Sequence, residues 1–265
     1  MLNKSNPIGV MDSGIGGLTV VRELQRILPG EDIIYFGDSA NCPYGNKTAD
    51  QIFELSCHML QFLGSNGVKC TAVACNTIST MAERLRPCFD FRIISIVEEA
   101  AKYVIREKLS SVGLIGTEFT VASGKYAELI HQGNPDCHVV GKGSPLLAAL
   151  VDRGDFNQHD INLEITTQVD NILSREKVND LILGCTHYPI VADVFSKCYP
   201  ELTLIDASRA QAEAVSDWLR ENSLLRTGHE GTLTIRTSGG RENYERVCAL
   251  LGISEGTQIQ TVESL

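Results

Sequence analysis

Several classes of protein are set aside by what this chain lacks. It has no basic excess: 23 Lys and Arg against 33 Asp and Glu leave a formal net charge of −10. A nucleic-acid partner needs a positive face to meet phosphates, so none is expected. No apolar run approaches the length of a membrane-spanning helix, so no membrane partner is expected either. The opening Met1-Leu2-Asn3-Lys4-Ser5-Asn6-Pro7 has no apolar segment of a secretory signal, which points to a cytoplasmic protein. There, thiols stay reduced. The nine cysteines include no Cys-x-x-Cys and no paired Cys/His spacing, so the sequence offers no reason to propose a metal. A Ser/Pro/Gly linker and low-complexity tracts are also missing.

What is present is an alternation. Short apolar runs lead through Gly- or Asn-containing turns into helical patterns. Ile8 to Met11 precedes Leu18 to Leu28, and Asp32 to Phe36 precedes Asp50 to Leu63. Thr71 to Ala74 precedes Ile78 to Arg86, Ser111 to Ile115 precedes Val121 to Ile130, and Asp180 to Leu183 precedes Pro189 to Phe195. Strands alternating with helices predict an α/β fold with a largely parallel sheet. Continuous apolar strands such as Leu181-Ile182-Leu183 fit strands covered on both faces.

Two of these junctions echo one another. Val73-Ala74-Cys75-Asn76-Thr77 and Leu183-Gly184-Cys185-Thr186-His187 share an apolar strand, a small residue, a cysteine and two hydrogen-bonding residues before a helix. They lie about one small domain apart, which suggests two similar α/β units facing one another. Ligands of open α/β sheets bind beyond the carboxyl ends of strands, where these cysteines stand. A helix N-terminus there would lower a thiol pKa and raise its reactivity. The other seven cysteines read as small buried hydrophobes, with Cys42 in Asn41-Cys42-Pro43-Tyr44-Gly45 read as packing or rim.

Asp12-Ser13-Gly14-Ile15-Gly16-Gly17 follows the first strand but fails as a dinucleotide fingerprint, because Thr19 stands where a third glycine belongs. It remains a glycine-rich turn that aims Asp12 and Ser13 from a strand end, or a structural turn with Asp12 capping a helix. His187 follows Cys185 by two positions in a polar loop, where an imidazole could hold or shuttle a proton. The remaining five histidines read as structural or solvated.

Together these segments resemble the glutamate racemases of the aspartate/glutamate racemase superfamily. The resemblance rests on Ile8–Val20, Tyr35–Asp38 with Pro43–Gly45, Ala74–Thr77, Ile115–Thr120 with Ser123–Tyr126, and Leu183–Pro189, in family order. It implies two three-layer α/β lobes with the active site in the cleft between them. The first would hold residues 1–97 plus 208–265 and the second 98–207. It implies a cofactor-independent two-thiol racemisation of L- to D-glutamate, with Cys75 taking the proton from the D-enantiomer and Cys185 from the L-enantiomer. Asp12 and His187 would assist, and Asp12, Ser13, Tyr44, Gly45, Asn76, Thr77, Thr186 and His187 would contact the substrate. The resemblance further implies a role in peptidoglycan synthesis, hence cell wall biogenesis and cell shape, and allows a homodimer. The sequence departs from the family at Met11, Ile78, Ser144 and Asp152, the last where a glutamate is usual.

Two thiols suit this reaction. One base must leave a proton on the face from which it came, whereas a thiolate and a thiol on opposite faces invert the centre without turning the substrate. Without pyridoxal phosphate, the developing charge must spread into the α-carboxylate and be met by preorganised donors. Three alternatives stay open on the residues: a racemase of aspartate or another small acid, a thiol-redox protein, and an amino-acid-binding module.

Overall fold

The computed structural model describes residues 3–153, 158–253 and 257–262. Its strands are β1 (Ile8–Asp12), β2 (Ile33–Gly37), β3 (Cys70–Val73), β4 (Arg92–Ser95), β5 (Ser111–Thr117), β6 (His138–Ser144), β7 (Asp180–Gly184), β8 (Thr203–Ile205), β9 (Leu233–Thr237) and β10 (Gln258–Thr261). Two sheets result, ordered β10-β9-β2-β1-β3-β4 and β6-β5-β7-β8. Every pairing is parallel. The α/β expectation therefore holds, and the echo in the sequence has a topological counterpart. The order β2-β1-β3-β4 repeats as β6-β5-β7-β8, with β9 and β10 added beyond β2. In each repeat the chain leaves its first strand, pairs the next on one side and crosses back to the other. That reversal opens a crevice beyond the carboxyl ends of β1 and β3, and likewise of β5 and β7.

Strand alternation explains the layers. Val10, Tyr35, Ala72 and Ile94 lie in one apolar cluster, while their neighbours Met11, Phe36, Val73 and Ile93 lie in another. The first sheet is thus covered on both faces, as its unbroken apolar strands require. The second sheet divides likewise: Val112, Leu114 and Ile182 join the first sheet's cluster, and Ile115, Leu181 and Leu183 form a third. One apolar cluster therefore runs between the repeats. Each fully buried Val, Leu or Ile side chain within it contributes about 1.5–3 kcal/mol, so the two halves are held by a shared core.

Three helical expectations are subdivided. Ile78 to Arg86 becomes the turns Asn76–Ser79, Ala82–Leu85 and Arg86–Cys88. Val121 to Ile130 breaks into Glu118–Ala122 and Lys125–Gly133 at Gly124, whose φ of 67° is left-handed. Pro189 sits in the first turn of a 3₁₀ segment, Tyr188–Val191, before the helix Ala192–Cys198. After the second sheet the chain returns to the first. In the helix Ser208–Glu221, Gln211 Nε2 donates to the carbonyls of Val73 and Ile94 at 2.9 Å each, and Ser208 Oγ donates to Thr19 Oγ1 at 3.0 Å.

Candidate active site

The strand ends deliver the chemistry. Register pairs Met11 with Val73, and the Ala74 amide donates to the Met11 carbonyl at 3.0 Å, so Asp12 and Cys75 emerge side by side. In the second repeat Gly116 pairs with Gly184, which brings Thr117 and Cys185 out together. Both cysteines are 5% exposed. Together with Ser13, Tyr44, Gly45, Asn76, Thr77, Thr186 and His187 they line one small cavity of about 20 Å³. That is room for a water and far less than an amino acid needs.

Around Cys75 the field is negative. Its sulfur lies 3.5 Å from Ser13 Oγ, and the residue stands at the N-cap position of the one-turn helix Asn76–Ser79. Burial and the nearby Asp12 carboxyl push it up to about 12, against the hydrogen bonds of Ser13 and the Ile78 amide. A helix N-terminus alone would lower this thiol, as expected from the sequence. Desolvation and a like charge outweigh so short a helix. Asp12 itself is fully buried and accepts from the Gly14 amide and Thr186 Oγ1, each at 2.9 Å. Burial raises its pKa more than His187 and these two donors lower it. Asp12 thus acts on Cys75 through its charge while its hydrogen bond crosses to the other repeat. It forms an Asx turn and does not cap the following helix, whose N-cap is Gly17.

Around Cys185 the field is positive. Its sulfur lies 3.7 Å from His187 Nδ1, and His187 Nε2 lies 3.0 Å from Asp152 Oδ1. Burial would lower the imidazole pKa, but Asp152 and Cys185 overcome it and hold the ring well above its ordinary value. Burial would raise Asp152, yet the hydrogen bond and charge of His187 carry it below the usual carboxylate range. Donors fill the rest of the wall. Thr77 Oγ1 lies 3.0 Å from Thr117 Oγ1 and 3.2 Å from Thr120 Oγ1, and Tyr126 OH donates to Asn76 Oδ1 at 2.6 Å. The repeats meet closely because Gly16 has no side chain: a Cβ there would sit 2.7 Å from the Thr186 carbonyl carbon and nearer still to its hydroxyl.

The family described as Asp/Glu/Hydantoin racemase matches residues 8–215. The glutamate racemase of Persephonella marina is 41% identical over 77% of this chain and 79% of its own length. That of Desulforudis audaxviator is 36% identical over 91% of each chain. The chain belongs to this racemase family. The crystal structure of the Francisella tularensis glutamate racemase in complex with D-glutamate is similar throughout, with 32% identity, a TM-score of 0.90 and 98% of each chain covered. The fold implied by the sequence resemblance is therefore the fold observed. Among the described residues, no helix is long and apolar enough to cross a membrane.

Within this racemase fold, the residues singled out in sequence converge on the cavity, except that Asp12 stands behind its wall, bonded to Gly14 and Thr186. Sequence reasoning assigned no site role to Thr117 and Thr120. Their spacing carries a signal, since Thr117 Oγ1 accepts from the Thr120 amide at 3.1 Å as a helix N-cap. Cys42 also lines the cavity, a place compatible with its reading as packing or rim. Asp152 had no local signal for a bond to His187, because 35 residues separate the two and only the fold brings them together.

Proposed function

We propose that this racemase interconverts L- and D-glutamate without a cofactor, supplying D-glutamate for peptidoglycan, by passing the α-proton between Cys75 and Cys185. The observation that carries the reading is that two equivalent strand-end cysteines, one from each parallel repeat, line a single cavity. The glutamate racemases similar over most of the chain support the substrate.

The unequal fields assign starting roles. Cys75, held protonated by burial and Asp12, is the thiol that delivers a proton. Cys185 receives the proton from the L-enantiomer, and protonated His187, steadied by Asp152, stands beside it to balance charge and exchange protons. After turnover the roles are exchanged, and the D-enantiomer runs the sequence backwards. The developing carbanion spreads into the α-carboxylate, where the hydroxyls of Ser13 and Thr77 and the amide of Asn76 serve as donors in a dry site, and Thr186, whose hydroxyl donates to Asp12, contacts the substrate beside them. Tyr44 and Gly45 complete the substrate contacts. Because the cavity holds only about 20 Å³, the halves part to admit glutamate and close on it. The sheet memberships support lobes of residues 1–97 plus 208–265 and 98–207. The reading leaves room for a homodimer and belongs to a cytoplasmic enzyme.

Incubation of the purified protein with L- or D-glutamate in D2O tests the proposal. Racemisation with deuterium entering Cα, and no added cofactor, is expected from both enantiomers. No exchange from either would remove glutamate as the substrate. The same assay with aspartate separates the two acids.

A further inference from the structure

Cys42 lines the cavity but has no part in the proton transfer. Its Sγ, an Asp152 carboxylate oxygen and a His187 ring nitrogen all lie within 4.8 Å of one another. All three side chains pack against Gly14. A Cβ built on Gly14 would lie 2.8 Å from Asp152 Oδ1, 3.3 Å from Cys42 Sγ and 3.5 Å from His187 Nε2. The three donors thus crowd one side of Gly14, which has no Cβ to part them. Zinc bonds of about 2.0–2.3 Å imply donor separations of roughly 3.3–3.7 Å around a tetrahedron, so adjustments of up to about 1.5 Å would close the set. Access exists from outside, since the Asp152 side chain is 23% exposed and Cys42 is partly exposed.

We propose that Cys42, Asp152 and His187 form a Zn²⁺ site whose occupation holds the racemase off. Thiolate, imidazole and carboxylate on one centre with a fourth position left to water suit zinc among divalent cations. The surroundings favour a dication: Asp12 and Asp152 act on Cys42, and no Lys or Arg is among the described residues lining the cavity. The carboxylates that help keep the Cys42 thiol protonated favour a cation beside it. Binding is balanced by release of two protons, one from the Cys42 thiol and one from the His187 imidazolium, and so weakens as pH falls. The metal takes the Nε2 electron pair that the proton held and ties down the ring beside Cys185. This inhibitory part rests on the role proposed above for His187, whereas the site itself rests on geometry alone.

Cobalt reports the site without substrate. Co²⁺ titrated into the reduced protein should give a thiolate-to-cobalt absorption that saturates at one equivalent. The absorption should persist in Cys88→Ser, whose thiol is exposed and far along the chain, and vanish in Cys42→Ala and Cys42→Ser. Zn²⁺ should displace the cobalt, stop racemisation and release it again on chelation. Removing a ligand by Asp152→Ala or Cys42→Ala should raise the Zn²⁺ needed for half-inhibition about ten-fold or more. No saturating absorption, or one that survives both Cys42 variants, overturns the site. A cobalt site with the expected ligands but undiminished racemisation in Zn²⁺ overturns the inhibition. A protein that fails to racemise glutamate at all still yields the spectrum, so that failure is read separately.

Discussion

The Cys75 and Cys185 halves of the site share one topology and oppose one another in charge. Each presents a cysteine just beyond a strand beside the first strand of its repeat. Cys75 faces a buried carboxyl, Asp12, and its thiol is pushed up to about 12. Cys185 faces an imidazole that Asp152 keeps charged. A repeated fold therefore supplies equivalent positions, and the side chains around them break the equivalence. The difference suits a reaction that needs one proton donor and one acceptor at the same moment. Because the two enantiomers have equal free energy, kcat/KM must match in the two directions, so the asymmetry can surface only in kcat and KM separately.

The comparison is broken most severely by deleting a thiol. Cys75→Ser and Cys185→Ser should each lower net glutamate racemisation by about 10³-fold or more, since each removes a group that transfers the proton. Chiral chromatography over time measures this, and near-full activity in either variant would refute the two-thiol scheme. Next in size, His187→Asn and Asp12→Asn should each cost roughly 10–10²-fold. Their effects on kcat should be unequal in the two directions and opposite in sense, as initial rates from L- and D-glutamate will reveal. Equal losses in both directions would mean that the two halves are not functionally distinct.

Gly16→Ala probes the seam where the halves meet. Its Cβ would lie 2.7 Å from the Thr186 backbone, so destabilisation of about 1–3 kcal/mol is expected, together with reduced activity; urea unfolding and racemase assays measure both. The smallest effect concerns the charged pair of the Cys185 half. His187 is raised well above about 6.5 in the folded state, so its stabilising contribution is full below that pH and fades as pH climbs through the folded value. Asp152 is lowered, so its contribution is present above about 3.8 and is lost as pH falls through its own folded value. Asp152→Asn should therefore cost about 1–3 kcal/mol between pH 4.5 and 6.5, and less once the pH has climbed through the folded value of His187. Urea midpoints across that range check it, and a pH-independent cost would dissociate the stability effect from His187.

Much of the fold and part of the site were legible in residue order. Apolar runs such as Leu181-Ile182-Leu183 mark parallel strands because burial on both faces removes the usual polar alternation. The cysteine positions at Cys75 and Cys185 follow from the same local rule, as a strand end opens into a polar loop. Helix lengths were less legible. Gly124 and Pro189 interrupt patterns whose apolar spacing continues past them.

The sequence by itself thus determined an α/β chain with two matching strand–cysteine–turn units and no basic or membrane-spanning segment. Only the tertiary structure decided that the two units form parallel repeats opening on one cavity, that Asp12 bonds across to Thr186, and that Asp152 holds His187. It also reversed the expected lowering of the Cys75 thiol. The physical reason is range. Strand and turn formation depend on neighbours within a few residues, whereas burial and charge at a site are set by groups that lie far apart in the chain.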